Sequence, residues 1–396
     1  MKRTIFIISG SILLLIIFSI WVFLLLFGTP QNLEQAFTNL GLGGDPTPID
    51  PNSSLTLEQT AQLNVNAGSL VQLTTKPVAG HSFITQGSTT TDKLLYAERG
   101  VGHIYEIDIG TGVENRISAK TFLAVTDAVF SPDGKFVVLV SEEGGSTTAV
   151  IENLDSDTDY KIPSNATNLE FVSDNELRYT VTNQSGTTGY SFDLTEVTTD
   201  QIFSIPLTDI DIIWRTNETL AINKPAPRLR GALFRINGNE MSRIGESGYS
   251  LTAIAPQSTS SDYILTGVNL DREGIIESQV FNESTRELRP LSILAWPEKC
   301  VFNIATQNSL WCASSASELS RTSQSDWHKG LITFTDLLWK IDTVSGEATL
   351  IENLVETSGR YIDVVDILVE REGRFLLFKN KLDDSLWLKK LNTTSN

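Results

Sequence analysis

Two cysteines, Cys300 and Cys312, are the only thiols in this chain of 396 residues. In a hairpin with its tip near Ala305-Thr306-Gln307 they face each other across two strands. Facing residues bring Cβ atoms to about 4.5–5.5 Å, a little beyond disulfide spacing, so a small local adjustment is needed. A disulfide is the expected chemistry in an oxidising compartment. Zinc binding is the weaker reading, because only His328 lies nearby. A catalytic thiol is weaker still, because no His and acid accompany either Cys in a recognisable pattern.

Other reactive side chains do not assemble into a catalytic or cofactor set in the sequence. His81, His103 and His328 are scattered and lack metal-binding spacing, and His103 beside Tyr105 reads as a packed strand residue. Gly245-Glu246-Ser247-Gly248-Tyr249 approaches a nucleophile elbow but has Tyr249 in place of the second Gly, so it reads as a surface turn. Asp209, Asp211, Asp336 and Asp342 offer carboxylate pairs for glycoside chemistry, yet a chain with 48 acidic residues supplies such pairs by chance. No metal or cofactor site is expected. Four tryptophans, Trp296, Trp311, Trp327 and Trp339, crowd one stretch. Trp339 reads as packing, and Trp327 as the candidate for an aromatic recognition patch on an exposed rim.

What positions these residues begins with an apolar segment. Thr4–Phe27 carries no charge and spans roughly 36 Å as a helix, enough for a hydrocarbon core of about 30 Å. It ends in Phe23-Leu24-Leu25-Leu26-Phe27 rather than in the small residues of a cleavage site, so an uncleaved single-pass helix is expected. Lys2 and Arg3 precede it, which keeps residues 1–3 cytoplasmic and places the rest of the chain outside the cell membrane. Residues 28–67 then read as a stalk, with Gly and Pro between Gly41 and Ser54 and a flexible reach of roughly 35 Å.

Taking Lys2 and Arg3 from the 30 basic residues leaves 28 against 48 acidic, a net charge of about −20 on the exported part. Such a surface repels nucleic acid and anionic lipid. Nucleic acid is therefore not an expected partner, and the only membrane contact expected is the helix itself.

Residues 68–396 read as strands almost throughout, in a repeat of about 40–48 residues. The clearest copy is Ala128-Val129-Phe130-Ser131-Pro132-Asp133-Gly134-Lys135-Phe136-Val137-Val138-Leu139, where Pro-Asp-Gly turns the chain between two strands. Weaker copies begin at Leu169, Ile212, Ala253, Cys300 and Ile367, and an earlier one contains Lys93-Leu94-Leu95-Tyr96. Seven units predict an all-β, seven-bladed β-propeller, with an insertion near 313–330 and with the strand after Leu386 closing the ring against Leu70–Leu73.

Phe130-Ser131-Pro132-Asp133-Gly134-Lys135 resembles the blade motif of TolB-type and WD40-like propellers. In layout the whole chain also resembles uncharacterised membrane-anchored propeller proteins of candidate-phylum bacteria. Together these readings lead to a non-catalytic binding or assembly scaffold whose partner is an envelope protein or cell-wall component. The alternative is a surface glycan hydrolase or lyase using channel carboxylates.

Overall fold

The computed structural model describes residues 70–86, 89–226, 229–258, 261–269, 276–303, 308–320 and 322–391. The expected membrane helix (4–27), the stalk (28–67) and the hairpin tip (305–307) lie outside these residues. Among the described residues no helix is long and apolar enough to cross a membrane.

Strands organise the described chain into six antiparallel sheets. The first three have four strands each: 78–118, 125–161 and 166–205. A seven-stranded sheet covers 210–290, and two more four-stranded sheets follow. One contains Cys300–Phe302, Ser309–Ser315, Asp336–Asp342 and Ala348–Asn353. The last joins Val364–Val369, Phe375–Asn380 and Leu386–Lys390 to Leu70–Gln72 from the other end of the chain.

That last sheet is the expected closure. Leu70 pairs with Lys389, Val71 with Leu388 and Gln72 with Trp387, so the N-terminal strand caps an edge that would otherwise present unpaired backbone groups. The Leu73 N–H continues the seam by donating to the Leu386 carbonyl at 2.8 Å.

The role of each strand follows from its sequence. Second strands are continuous apolar runs, as in Phe136-Val137-Val138-Leu139 and Phe375-Leu376-Leu377-Phe378, because both of their faces pack against neighbouring sheets. Fourth strands such as Glu114–Ser118 are polar and exposed, at the periphery. First strands lie beside one another in consecutive sheets. Val125–Phe130 and Val364–Val369 share one burial pattern, in which Asp127 and Asp366 occupy the same exposed third position.

These inner strands also share a bulge. Register shifts occur at Val78/Gly80, Val125/Asp127, Thr167/Glu170, Tyr249/Thr252 and Val365/Leu368. Beside several of them the backbone turns left-handed, at Ala124, Asn168, Ser250 and Asp366. A bulge bends its strand and re-aims a side chain, which lets inner strands converge while their sheets splay outward.

Apolar side chains fill the space between successive sheets. Ala79, Leu95, Ala97, Val125, Phe130 and Leu139 join the first two sheets, and Trp311, Leu338, Leu376 and Trp387 join the last two. The circuit ends where Leu94, Tyr96 and Ile107 of the first sheet meet Phe375, Leu377 and Leu388 of the last.

The Pro-Asp-Gly turn behaves as its sequence predicts. Gly134 is left-handed, Ser131 Oγ donates to Asp133 Oδ1 at 2.8 Å, and the Phe136 N–H donates to Ser131 Oγ at 3.0 Å.

Gly80 marks the tightest approach between inner strands, since a Cβ placed there would lie 1.9 Å from the Ala128 carbonyl oxygen. Backbone cannot yield as a side-chain tip does, so Gly80→Ala is expected to destabilise the propeller by about 1–3 kcal/mol. A lower urea midpoint with unchanged denaturant slope would show this, and an unchanged midpoint would refute the close packing.

Candidate functional site

Cys300 and Cys312 form a disulfide across directly paired strand positions, with Cα atoms 4.1 Å apart. The bond is buried in the apolar layer with Leu265, Phe302, Leu310 and Ile341, where it staples a sheet rather than exposing a reactive sulfur.

Trp327 is positioned differently from the exposed ring expected on a rim. It stands on a short helix, Ser323–His328, with only 4% of its surface exposed. Its ring packs edge-on to Trp296, with centroids 5.6 Å apart. Its Nε1–H donates to both oxygens of Asp363, at 3.0 and 2.9 Å, while Lys381 Nζ lies 3.6 Å from the ring centroid on another side. The four tryptophans are thus largely drawn into packing, with Trp296 and Trp311 buried as well.

The acids named from sequence scatter. Asp336 is fully buried against Lys299 at 2.5 Å. Asp342 caps its own turn by accepting from the Val344 and Ser345 N–H groups, and Asp211 lies 3.8 Å from Lys224. Among the described residues no group of three His, Cys, Asp or Glu side chains is arranged to hold a metal ion.

The most developed surface site lies in the seven-stranded sheet. Gly245-Glu246-Ser247-Gly248-Tyr249, expected as a surface turn, is instead the middle of one 15-residue strand, Glu240–Ile254. The first half of this strand pairs with Arg230–Asn237 and the second half with Tyr263–Asn269. Gly245 is left-handed, and a Cβ at Gly248 would fall 2.0 Å from Val268 Cγ2, so the two glycines let the strand pass from one pairing to the other without a loop.

A groove of about 310 Å³ opens beside this crossover. Three guanidinium groups line it, those of Arg235, Arg243 and Arg286, together with Glu246, Glu283, Phe281 and Leu288.

Two of its lining residues, Arg235 and Glu283, belong to a four-membered ring of charges. Arg215, almost wholly buried, donates to Glu218 Oε2 and Glu283 Oε1, each at 2.7 Å, and to the Ser261 carbonyl at 2.8 Å. Arg235 closes the ring by bonding to the remaining oxygens of Glu218 and Glu283. Glu283 is therefore fully engaged. Among the described residues Arg243 and Arg286 pair with no carboxylate.

Arg286 is held on a tight turn in left-handed conformation, pinned by Thr285 N–H to Asn282 Oδ1 at 2.9 Å and Glu283 N–H to the Asp262 carbonyl at 2.8 Å. An apolar wall of Phe281 and Leu288 beside unpaired guanidinium groups suits a ligand carrying carboxylate or phosphate on a carbon frame. Sequence reasoning missed this groove because its arginines are spread from 235 to 286 among acids, and only the crossover strand gathers them.

A second cluster joins the inner strands of the first and second sheets to the first two strands of the last. Lys379 Nζ is 2.7 Å from Asp366 Oδ2 and donates to the Ala79 carbonyl at 3.2 Å. His81 is buried with neither ring nitrogen hydrogen-bonded, and burial lowers its pKa to about 4, so it is neutral at pH 7. Asp127 touches solvent but is hemmed in by protein, and this desolvation, followed by the charge of Asp366, raises it. Asp366 moves the other way, because burial is outweighed by Lys379. On the third sheet, burial raises Glu170 to about 7 although Gln257 Nε2 donates to it at 3.1 Å.

No family model matches the chain, and no curated protein matches it. Solved structures do. An oligogalacturonate lyase from Vibrio parahaemolyticus aligns at TM-score 0.54 and 12% identity, covering 84% of this chain and all of its own. The β-propeller domain of Cps50 (Swd1) from Myceliophteria thermophila aligns at 0.52 and 11%, covering 83% and 99%. The β-propeller domain of the trilobed protease from Pyrococcus furiosus gives 0.50 and 12%, covering 79% and 92%. At such identities the likeness shows the fold, and the chain is an all-β protein of β-propeller type.

Two outcomes follow from this geometry. Replacing both cysteines with Ala opens a loop with a sequence separation of 12 and is expected to cost about 2–3 kcal/mol in thermal or urea unfolding. Glu170 binds its proton more tightly folded than unfolded, so its contribution to stability is fully present below the unfolded value near 4.5 and is lost as pH rises through about 7. Wild type minus Glu170→Gln should therefore lose relative stability between pH 4.5 and 7.5, and a flat difference across that window would contradict the burial of this carboxyl.

Proposed function

We propose that this chain is a membrane-tethered, extracytoplasmic, seven-bladed β-propeller that acts as a non-catalytic binding scaffold in the cell envelope. Its arginine groove takes an anionic cell-wall component. The observation that carries the reading is the groove itself, two guanidinium groups with no carboxylate partner among the described residues and an apolar wall, on a chain of net charge −18. A local positive site on an acidic body attracts one anionic ligand while the remaining surface repels nucleic acid and lipid headgroups.

Seven blades follow if the seven-stranded sheet is two blades sharing Glu240–Ile254. The apolar layers support that count. Seven of them link successive strand groups around the circuit, including the layer of Leu220, Leu233, Leu251 and Ile264 between the two halves of the long sheet. The tether rests on the uncharged segment Thr4–Phe27, and the stalk on the Gly and Pro content of 28–67.

The second reading, a glycan hydrolase or lyase, is favoured by one observation. Asp127 and Asp366 occupy equivalent inner-strand positions and are driven apart in pKa, beside neutral His81, which is how a fold separates an acid from a base.

Equilibrium binding of the purified chain to acidic wall polymers, at two salt concentrations, tests the scaffold reading. Arg243→Ala with Arg286→Ala should weaken binding by about ten- to a hundredfold while leaving the unfolding midpoint unchanged. Binding only to a neutral polymer or to an envelope protein would remove the proposed ligand class. Turnover of a glycan that disappears in Asp127→Asn or Asp366→Asn would replace the scaffold by the enzyme.

A further inference from the structure

Lys299 ends a short 3₁₀ turn, Pro297–Lys299, immediately before the strand that carries Cys300. Its side chain is 2% exposed and lies between two carboxyl groups with no solvent exposure. Nζ is 2.5 Å from Asp336 Oδ2 and 2.5 Å from Asp363 Oδ1. Asp336 starts the third strand of its sheet, and Asp363 immediately precedes the first strand of the closing sheet, so the three residues bridge two sheets. Trp327 and Phe334 wall the ammonium off, with ring centroids 5.1 and 5.4 Å from Nζ.

An ordinary buried ion pair accounts poorly for this arrangement. Lys299 contacts both carboxyls while the Lys381 ammonium lies close enough to Asp363 to feel its charge, and among the described residues Asp336 Oδ1 is buried without any hydrogen-bond donor, which a full negative charge would not tolerate. A proton held on Asp336 removes that mismatch, and burial pushes that carboxyl upward in the required direction.

Asp363 is surrounded by donors instead. Its Oδ2 accepts from Trp327 Nε1–H at 2.9 Å and from the Phe334 N–H at 3.0 Å, two donors placed as they would be to hold a developing oxyanion. A cavity of about 10 Å³ borders Lys299, Trp296 and Phe334, room for one water.

We propose that Lys299 and Asp363 become joined by an amide bond, formed within the folded chain, with Asp336 as the proton shuttle. Lys299 first gives a proton to Asp363 Oδ1, 2.5 Å from Nζ, leaving a neutral amine and a neutral acid. The Nζ lone pair attacks Cγ of Asp363, and the C=O electrons move to Oδ2, held by Trp327 and Phe334. Asp336 passes its proton to the Oδ1 hydroxyl, the Oδ2 electron pair re-forms the C=O as the C–Oδ1 bond breaks, and water leaves. Asp336 recovers a proton from the nitrogen. Ammonium and carboxylate are consumed, amide and water are made, and no oxidant, metal or cofactor enters. The product links the sheet that holds the disulfide to the sheet that closes the ring.

Mass spectrometry of the purified full chain, denatured but not reduced, tests this directly. The expected mass is one water below that of the disulfide-bonded sequence, and tryptic maps should lack cleavage after Lys299 and contain a branched peptide joining Lys299 to Asp363. Lys299→Arg should restore the missing water. Asp336→Asn, which keeps both joined residues but removes the shuttle, should do the same in chain that is folded by circular dichroism. Wild-type chain at full mass with ready cleavage after Lys299 would overturn the proposal, and a branch mapped to Asp336 would overturn the assignment of roles.

Discussion

The pairing of Leu70–Gln72 with Leu386–Lys390 is the constraint on which the rest of the molecule depends. A row of sheets packed face to face has two free ends, and each exposes an apolar face and an unpaired strand edge. Bringing the N-terminal strand onto the last sheet removes both, because Leu386 and Leu388 can then pack on Leu94 and Tyr96 while Leu70–Gln72 covers their backbone edge. The cost is entropic, since the loop being closed is nearly the whole domain, and it grows only slowly with length. Once the loop is closed, the inner strands must converge, and the repeated bulges are how they do so without forcing their sheets apart.

The covalent and ionic reinforcements concentrate near that seam. Cys300–Cys312 lies in the sheet before it, Lys299 reaches from that sheet to Asp363 of the next, and Lys389 of the closing sheet is ion-paired to Glu352 of its neighbour. Elsewhere the fold relies on apolar layers, on the charge ring of Arg215, Glu218, Glu283 and Arg235, and on hydrogen bonds between inner strands, such as Trp214 Nε1–H to the Asn168 carbonyl at 2.6 Å. Closure is the contact formed between the most distant parts of the chain, so it gains most from bonds that do not depend on sequence proximity.

Charge is managed by position rather than by number. Acidic side chains cover the periphery, where water screens their repulsion. Charges taken inside find partners: Arg215 with Glu218 and Glu283, Lys379 with the exposed Asp366, and Glu370 with the half-exposed Arg374. Such pairs add little net stability but penalise any misregistered packing that separates them, because a buried charge left alone is strongly disfavoured. The arginine groove is built on one of these pairs, and this explains how Arg235 can be held at an open surface while Arg243 and Arg286 stay unpaired.

Local patterns carried the architecture. Apolar runs bounded by Gly, Asn and Asp predicted strands, the repeat predicted stacked sheets, and equal spacing about the hairpin tip predicted that Cys300 would face Cys312, because strand pairing and turn geometry depend on neighbours in the chain. The same reasoning failed at Gly245–Tyr249. Glycines that read as a turn are there the crossover of a long strand, since whether the chain turns back depends on which sheet waits beyond it. It failed also at Trp327, whose insertion looked like an exposed rim but which Asp363, Trp296 and Lys381 draw inward. The sequence by itself therefore determined the strands, their order and the disulfide. Tertiary structure alone decided which charges meet, because strand pairing in the long sheet gathers Arg235, Arg243 and Arg286, and packing of the last two sheets gathers Lys299, Asp336 and Asp363.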